Sequence, residues 1–156
     1  MTERDTNRLI AWSNELHAVH NRLRKALRFT RAALDDGADR PDLASDLLVY
    51  CRGFCLALGQ HHRGEDRALF PAIEAAHPEL APVLRKLEQD HSMIDYLIVA
   101  LDAAAKRVAP PDELERHLEG ISAIMESHFA YEERELLGVL ETLALDADPP
   151  AVLGDI

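Results

Sequence analysis

The sequence predicts an all-α fold: an antiparallel up-down-up-down four-helix bundle. Three observations predict it. Apolar residues recur at steps of three and four along four long segments, which is the spacing of one buried helix face. Alanine, leucine, glutamate and arginine dominate, aromatic residues make up only 5%, and no alternating strand pattern occurs. The links between segments are short and carry Pro, Gly or Asp, as antiparallel neighbours require. At 156 residues, 47% of them hydrophobic, the chain is one domain with enough length to bury a core. Residues 1–145 read as the bundle and 146–156, with two prolines and a glycine, as an irregular C-terminal tail.

The first helix is expected from Asp5 to Leu34, with a stripe of Leu9, Trp12, Leu16, Val19, Leu23, Leu27, Thr30 and Leu34. His20 lies about 40° from Leu16 around that helix, inside the stripe, and His17 about 100° from it, near the edge. Residues 35–39 read as a turn, Asp39 as a cap and Pro41 as a first-turn residue of the second helix. That helix is expected to Phe70, with Pro71 stopping or kinking it and a short turn to Ala76. Its face carries Leu47, Cys51, Phe54, Leu58, His61, Glu65 and Leu69. The third helix is expected from Glu79 or Pro82 to Val108. Leu80, Leu84, Leu87, His91, Ile94, Ile98, Leu101, Ala105 and Val108 alternate there at steps of four and three. The fourth is expected from Pro111 to Leu145, through Leu114, Leu118, Ile121, Met125, His128, Glu132, Leu136, Val139 and Leu143.

Every apolar face is thus interrupted by histidine, and two of them by a His and a Glu four residues apart. Counted from one end of an antiparallel bundle at about 1.5 Å per residue, His20, His61, His91 and His128 fall in one layer. Glu65 and Glu132 lie a turn further toward that end. One such histidine is commonly a satisfied core residue. Six buried polar groups at one height, without a cation, would destabilise the core heavily. The arrangement therefore predicts a metal centre. Imidazole and carboxylate with no thiolate suit iron, manganese or zinc, and six ligands exceed one tetrahedral zinc. Two metals sharing carboxylates account for the number.

A net charge of −11 excludes a nucleic-acid backbone or an anionic membrane as partner, and no apolar run approaches a bilayer span. The polar N-terminus has no secretory pattern, so a cytoplasmic location is expected. Cys51 and Cys55, at i,i+4, read as buried reduced thiols. No phosphate-binding loop, dinucleotide fingerprint or Ser-His-Asp set points to other chemistry.

Four motifs carry a resemblance. They are His20 in Val-His-Asn-Arg-Leu-Arg; His61-His62-Arg-Gly-Glu65-Asp-Arg-Ala-Leu-Phe-Pro; Asp90-His91-Ser-Met-Ile-Asp95; and His128-Phe-Ala-Tyr-Glu132-Glu133. In this order they resemble the hemerythrin-like, or HHE cation-binding, family, from about Leu16 to Leu140. The resemblance implies a bundle holding two non-haem irons joined by an oxo or hydroxo bridge, with zinc or manganese as alternative occupants. It implies His20, His61, Glu65, His91, His128 and Glu132 as ligands, with Glu65 and Glu132 as bridges. His17, His62 and Asp95 are further candidates. Asp95 stands where the oxygen-carrying members have a second histidine of that helix. Their last-helix His-x4-Asp would here give Glu133, but Glu132 lies nearer the seam.

Dioxygen, peroxide or nitric oxide is the implied small ligand. The first reading is a binding or sensing module, its pocket walled by Phe54, Leu58, Ile94 and Met125. The second is an enzyme that decomposes peroxide or handles nitric oxide. The third is an iron-responsive interaction protein, whose partner and oligomeric state the sequence leaves open. Fewer histidines than the oxygen carriers favour redox turnover over carriage. Glu88-x-x-His91 matches half of a ferritin-type signature, and no second copy lies on a seam.

Overall fold

A computed structural model describes residues 3–37 and 44–154. The long helices are α1 (Glu3–Gly37), α2 (Ala44–Gly64), α4 (Ala81–Lys106) and α5 (Pro111–Leu140). Between α2 and α4 the chain forms a π turn (Glu65–Leu69), a short helix α3 (Phe70–Ala76) and one 3-10 turn (Pro78–Leu80). A last helix, α6 (Pro149–Leu153), follows α5. The four long helices pack in a ring, α1 on α2, α2 on α4, α4 on α5 and α5 on α1. This is the expected four-helix bundle.

The apolar faces meet inside the ring. Leu16, Leu23, Leu58, Leu84, Leu87, Ile94, Leu118, Ile121 and Met125 are fully buried. Each such side chain contributes about 1.5–3 kcal/mol on burial. The side chains of Leu9 and Leu47, and the expected cap at Asp39 with Pro41, lie outside the described residues.

Element ends differ from expectation in four places. Asp35, Asp36 and Gly37 are the last residues of α1 rather than part of a turn. Pro71 does not stop the second helix, which passes through the π turn into α3. α4 ends at Lys106, so Val108 leaves the seam: it is 68% exposed, at φ 53°, and Ala109 is buried in its place. α5 ends at Leu140, five residues early, where the Thr142 hydroxyl donates to the Val139 carbonyl at 3.1 Å. The tail, expected to be irregular, carries α6, with Val152 and Leu153 buried.

Candidate metal centre

His20 comes from α1, His61 and His62 from the last turn of α2, Glu65 from the π turn, His91 from α4, and His128 and Glu132 from α5. All seven are buried, none more than 5% exposed. Their ligand atoms form two groups, His20, His61, Glu65 and Glu132, and His62, Glu65, His91 and His128, each within 4.8 Å of one another. Glu65 belongs to both. Its Oε1 is 3.2 Å from His61 Nε2 and 3.5 Å from His91 Nε2. Glu132 also faces both ways, with Oε1 at 3.2 Å from His20 Nε2 and Oε2 at 3.2 Å from His128 Nε2. The two groups would hold two metal ions, His20 and His61 serving one and His62, His91 and His128 the other, with Glu65 common to both and Glu132 presenting an oxygen to each.

The outer nitrogens explain the inward aim of the rings. His61 Nδ1–H donates to the Leu153 carbonyl at 2.8 Å. His20 Nδ1–H donates to Glu133 at 2.9 Å, His91 Nδ1–H to Asp66 at 2.7 Å, and His128 Nδ1–H to Asp90 at 3.2 Å. An acceptor on Nδ1 fixes the tautomer and leaves the Nε2 lone pair pointing inward, as a metal needs. Aromatic faces pack round them: Phe129 stacks on His20 at 3.9 Å, and His62 on His91 at 3.9 Å.

The centre's polar atoms want a cation. Nε2 of His20, His61 and His62 and both oxygens of Glu65 and Glu132 are buried without a hydrogen-bond partner. Such atoms are rare in folded proteins and costly. The Nε2 atoms of His91 and His128 face each other at 3.0 Å although each Nδ1 already has its own acceptor. Two lone pairs so placed repel unless a cation lies between them. Burial, and then the charge of Glu132, raise the Glu65 carboxyl well above the usual range. Burial pushes the His61 imidazole down to about 3 and that of His62 well below its ordinary value. Both rings are therefore neutral, the ligating form. For His20, burial is outweighed by the adjacent Glu132 and Glu133 carboxylates, which raise it.

The six expected ligands thus converge, and of the three further candidates one joins them. His62 sits in the second group. His17 is 54% exposed, 3.6 Å from Glu133, and belongs to neither group. Asp95 is exposed on α4 at the rim of a cavity of about 190 Å³ that reaches His62 and His91. Of the two tyrosines next to these positions, Tyr96 is exposed and Tyr131 packs its ring under the Lys86 and Arg134 cations. Glu88 pairs with Arg85 at the surface, which leaves the ferritin-like half-signature without its carboxylate. Cys51 and Cys55 are buried free thiols, pushed up to about 11 and about 12, first by burial.

Sequence reasoning missed the outer acceptors. Glu133, Asp66 and Asp90 each adjoin a seam residue, Glu132, Glu65 and His91, and that adjacency was the available signal. The Leu153 carbonyl gave none, since any residue carries one. A family model described as Hemerythrin HHE cation binding domain matches residues 13–140. No curated protein and no solved structure matches the chain.

Proposed function

The chain belongs to the hemerythrin HHE cation-binding domain family, and from that premise we propose that it holds two iron ions and binds dioxygen or a related small ligand at them. The observation that carries this reading is the set of partnerless imidazole nitrogens and carboxylate oxygens turned toward one another in a dry core. With carboxylate and imidazole donors and no thiolate, iron suits the set, and zinc or manganese are the competing occupants. Two ferrous ions would supply the electrons that make a bound small ligand stable and reversible.

The chain's own groups prepare that chemistry. Glu133, Asp66, Asp90 and the Leu153 carbonyl lock four rings by their Nδ1 atoms. Glu65 and Glu132 each present oxygens to both halves of the centre. Phe129 and Phe70 exclude water beside His20 and His91. The half with two imidazoles has one protein donor fewer than the half with three, so a metal there would keep a position open to an exogenous ligand. The cavity of about 190 Å³ lies against the other half, beside His62 and His91, and would give molecules of a few atoms a way in from solvent.

The fifth histidine bears on the choice of reading. With His62 in the centre the donor set is five imidazoles and two carboxylates, richer in nitrogen than the sequence suggested. That favours reversible binding or sensing over peroxide or nitric oxide turnover. Elemental analysis together with an optical spectrum tests it. Two irons per chain are expected, with a charge-transfer band that appears when the reduced protein meets air and fades under vacuum. Fewer than two irons would refute the assignment. Two irons with sustained peroxide decomposition, abolished in His61→Ala, would select the enzyme reading instead.

A further inference from the structure

The family match stops at residue 140, yet the chain returns across the bundle and reaches the centre. Trp12 Nε1–H donates to the Leu145 carbonyl at 2.8 Å, which fixes the start of the return. α6 then lays Val152 and Leu153, each 1% exposed, against α2 and the π turn. The Leu153 carbonyl meets His61 Nδ1, 92 positions away in sequence.

Two glycines permit this approach. Gly154 adopts φ 91°, a left-handed conformation, and a Cβ there would lie 2.9 Å from the His61 amide nitrogen. Gly64 faces α6 from the end of α2, and a Cβ on it would lie 2.3 Å from the Val152 carbonyl oxygen. Both surfaces are stripped to backbone, and backbone meets backbone over a metal ligand.

We propose that residues 146–154 are a working part of the metal centre, with the Leu153 carbonyl as the positioning group of His61, acting selectively on the ion held by His20 and His61. The proposal rests on the two-ion reading above. A carbonyl can only accept, so it holds His61 as the Nδ1–H tautomer with Nε2 free. His20, His91 and His128 take their acceptors from the bundle helices and the π turn, whereas His61 takes its acceptor from the tail. Loss of α6 therefore frees one ring and leaves the others held. By linkage, an ion at His61 favours the docked tail by the same factor as the docked tail favours that ion.

The test is anaerobic titration of the full chain with ferrous iron against a competing chelator. Gly64→Ala forces the Val152 carbonyl away while giving α2 a better helix former. Gly154→Ala is the second variant, and Gly138→Ala, with nothing within 4 Å of its new methyl, is the control. The wild type and the control should take up two equivalents. Each tail variant should lose roughly 10–100-fold in affinity for one equivalent and keep the other. Iron should also slow hydrogen exchange at the Gly154 amide, which donates to the Pro150 carbonyl, in the wild type but not in Gly64→Ala. Two equivalents at wild-type affinity in both variants would overturn the proposal. So would an equal fall in both equivalents, which marks a general loosening. A wild type that binds no iron would overturn the two-ion reading, and this one with it.

Discussion

Removing the ions should cost this bundle a large part of its stability. Seven buried atoms of the centre lack a hydrogen-bond partner, and each such atom costs about 1–3 kcal/mol. Their sum rivals the roughly 5–15 kcal/mol that holds a domain folded, so the metal-free core must protonate, hydrate or open. Mass action bounds the gain on loading. At free metal a thousandfold above the dissociation constant, each ion adds about 4 kcal/mol. At about 2–4 °C per kcal/mol for a chain of this size, two ions should raise the melting temperature by roughly 15–30 °C. The assay is thermal unfolding followed by circular dichroism, on chelator-stripped and reloaded protein. Glu65→Leu sharpens it. The change replaces a buried carboxyl, with its two partnerless oxygens, by an apolar side chain, so the stripped variant should melt above the stripped wild type. It also removes the carboxylate common to both groups, so the shift on loading should vanish. Equal melting of the stripped and loaded wild type would refute the reasoning. A variant less stable than the stripped wild type that still responds to metal would do the same.

Three further outcomes follow from the same geometry. Glu65, raised first by burial and then by Glu132, holds its proton above the range where an exposed carboxyl ionises. The stability that Glu65 lends the stripped protein should therefore be lost as pH rises from that range through the raised value. Iron affinity should climb over the same window, because binding displaces the proton, and parallel slopes in melts and titrations would contradict this. His61 and His62, neutral in the fold by burial but protonated in the unfolded chain below the ordinary imidazole range, add stability as pH rises toward that range and nothing to the iron slope, so the loss due to Glu65 is read above it. Replacing an outer acceptor, by Glu133→Gln or Asp90→Asn, should weaken iron about 10–100-fold by chelator competition without removing a ligand. His17→Ala and Asp95→Ala should leave two equivalents bound at wild-type affinity, since both side chains lie outside the two groups.

The seams were legible because burial imposes a period. A residue that breaks the apolar run in register, such as His91 between Leu87 and Ile94, has to be buried and has to be satisfied. Layer heights followed from helix rise alone, and the six candidate ligands met as that arithmetic required. His62 was harder, because it lies one step off the seam and periodicity places it on a flank. Only the close approach of α2 and α4, which stacks its ring on His91, brings it in. Val108 shows the opposite failure. It continues the four-three alternation perfectly, but Pro110 and Pro111 end the helix before its turn is reached. The outer shell was illegible for a different reason. Asp66 and Asp90 act across to neighbouring helices, and which neighbour a surface acid meets depends on helix rotation rather than on its own sequence.

Pro71 is where local reasoning and tertiary need part company. A proline inside an α-helix lacks an N–H and its ring strikes the carbonyl four residues back, so a stop or a kink is the local expectation. The chain instead widens one turn just before it, and Phe70 N–H reaches the Glu65 carbonyl five residues back. The run of buried residues does not by itself announce this. His128, Glu132, Leu136 and Leu140 repeat the same four-step spacing in a regular part of α5. The gain is rotational. His62 and Phe70 both stack on the ring of His91, at 3.9 and 5.4 Å. Eight residues of plain α-helix would turn them about 80° apart. The extra residue of a π turn removes about 100° and brings them within roughly 20° of each other. The π turn before the proline thus sets His62, a candidate ligand, and Phe70, its apolar neighbour, on the same imidazole of His91, where a plain α-helix would carry Phe70 past it.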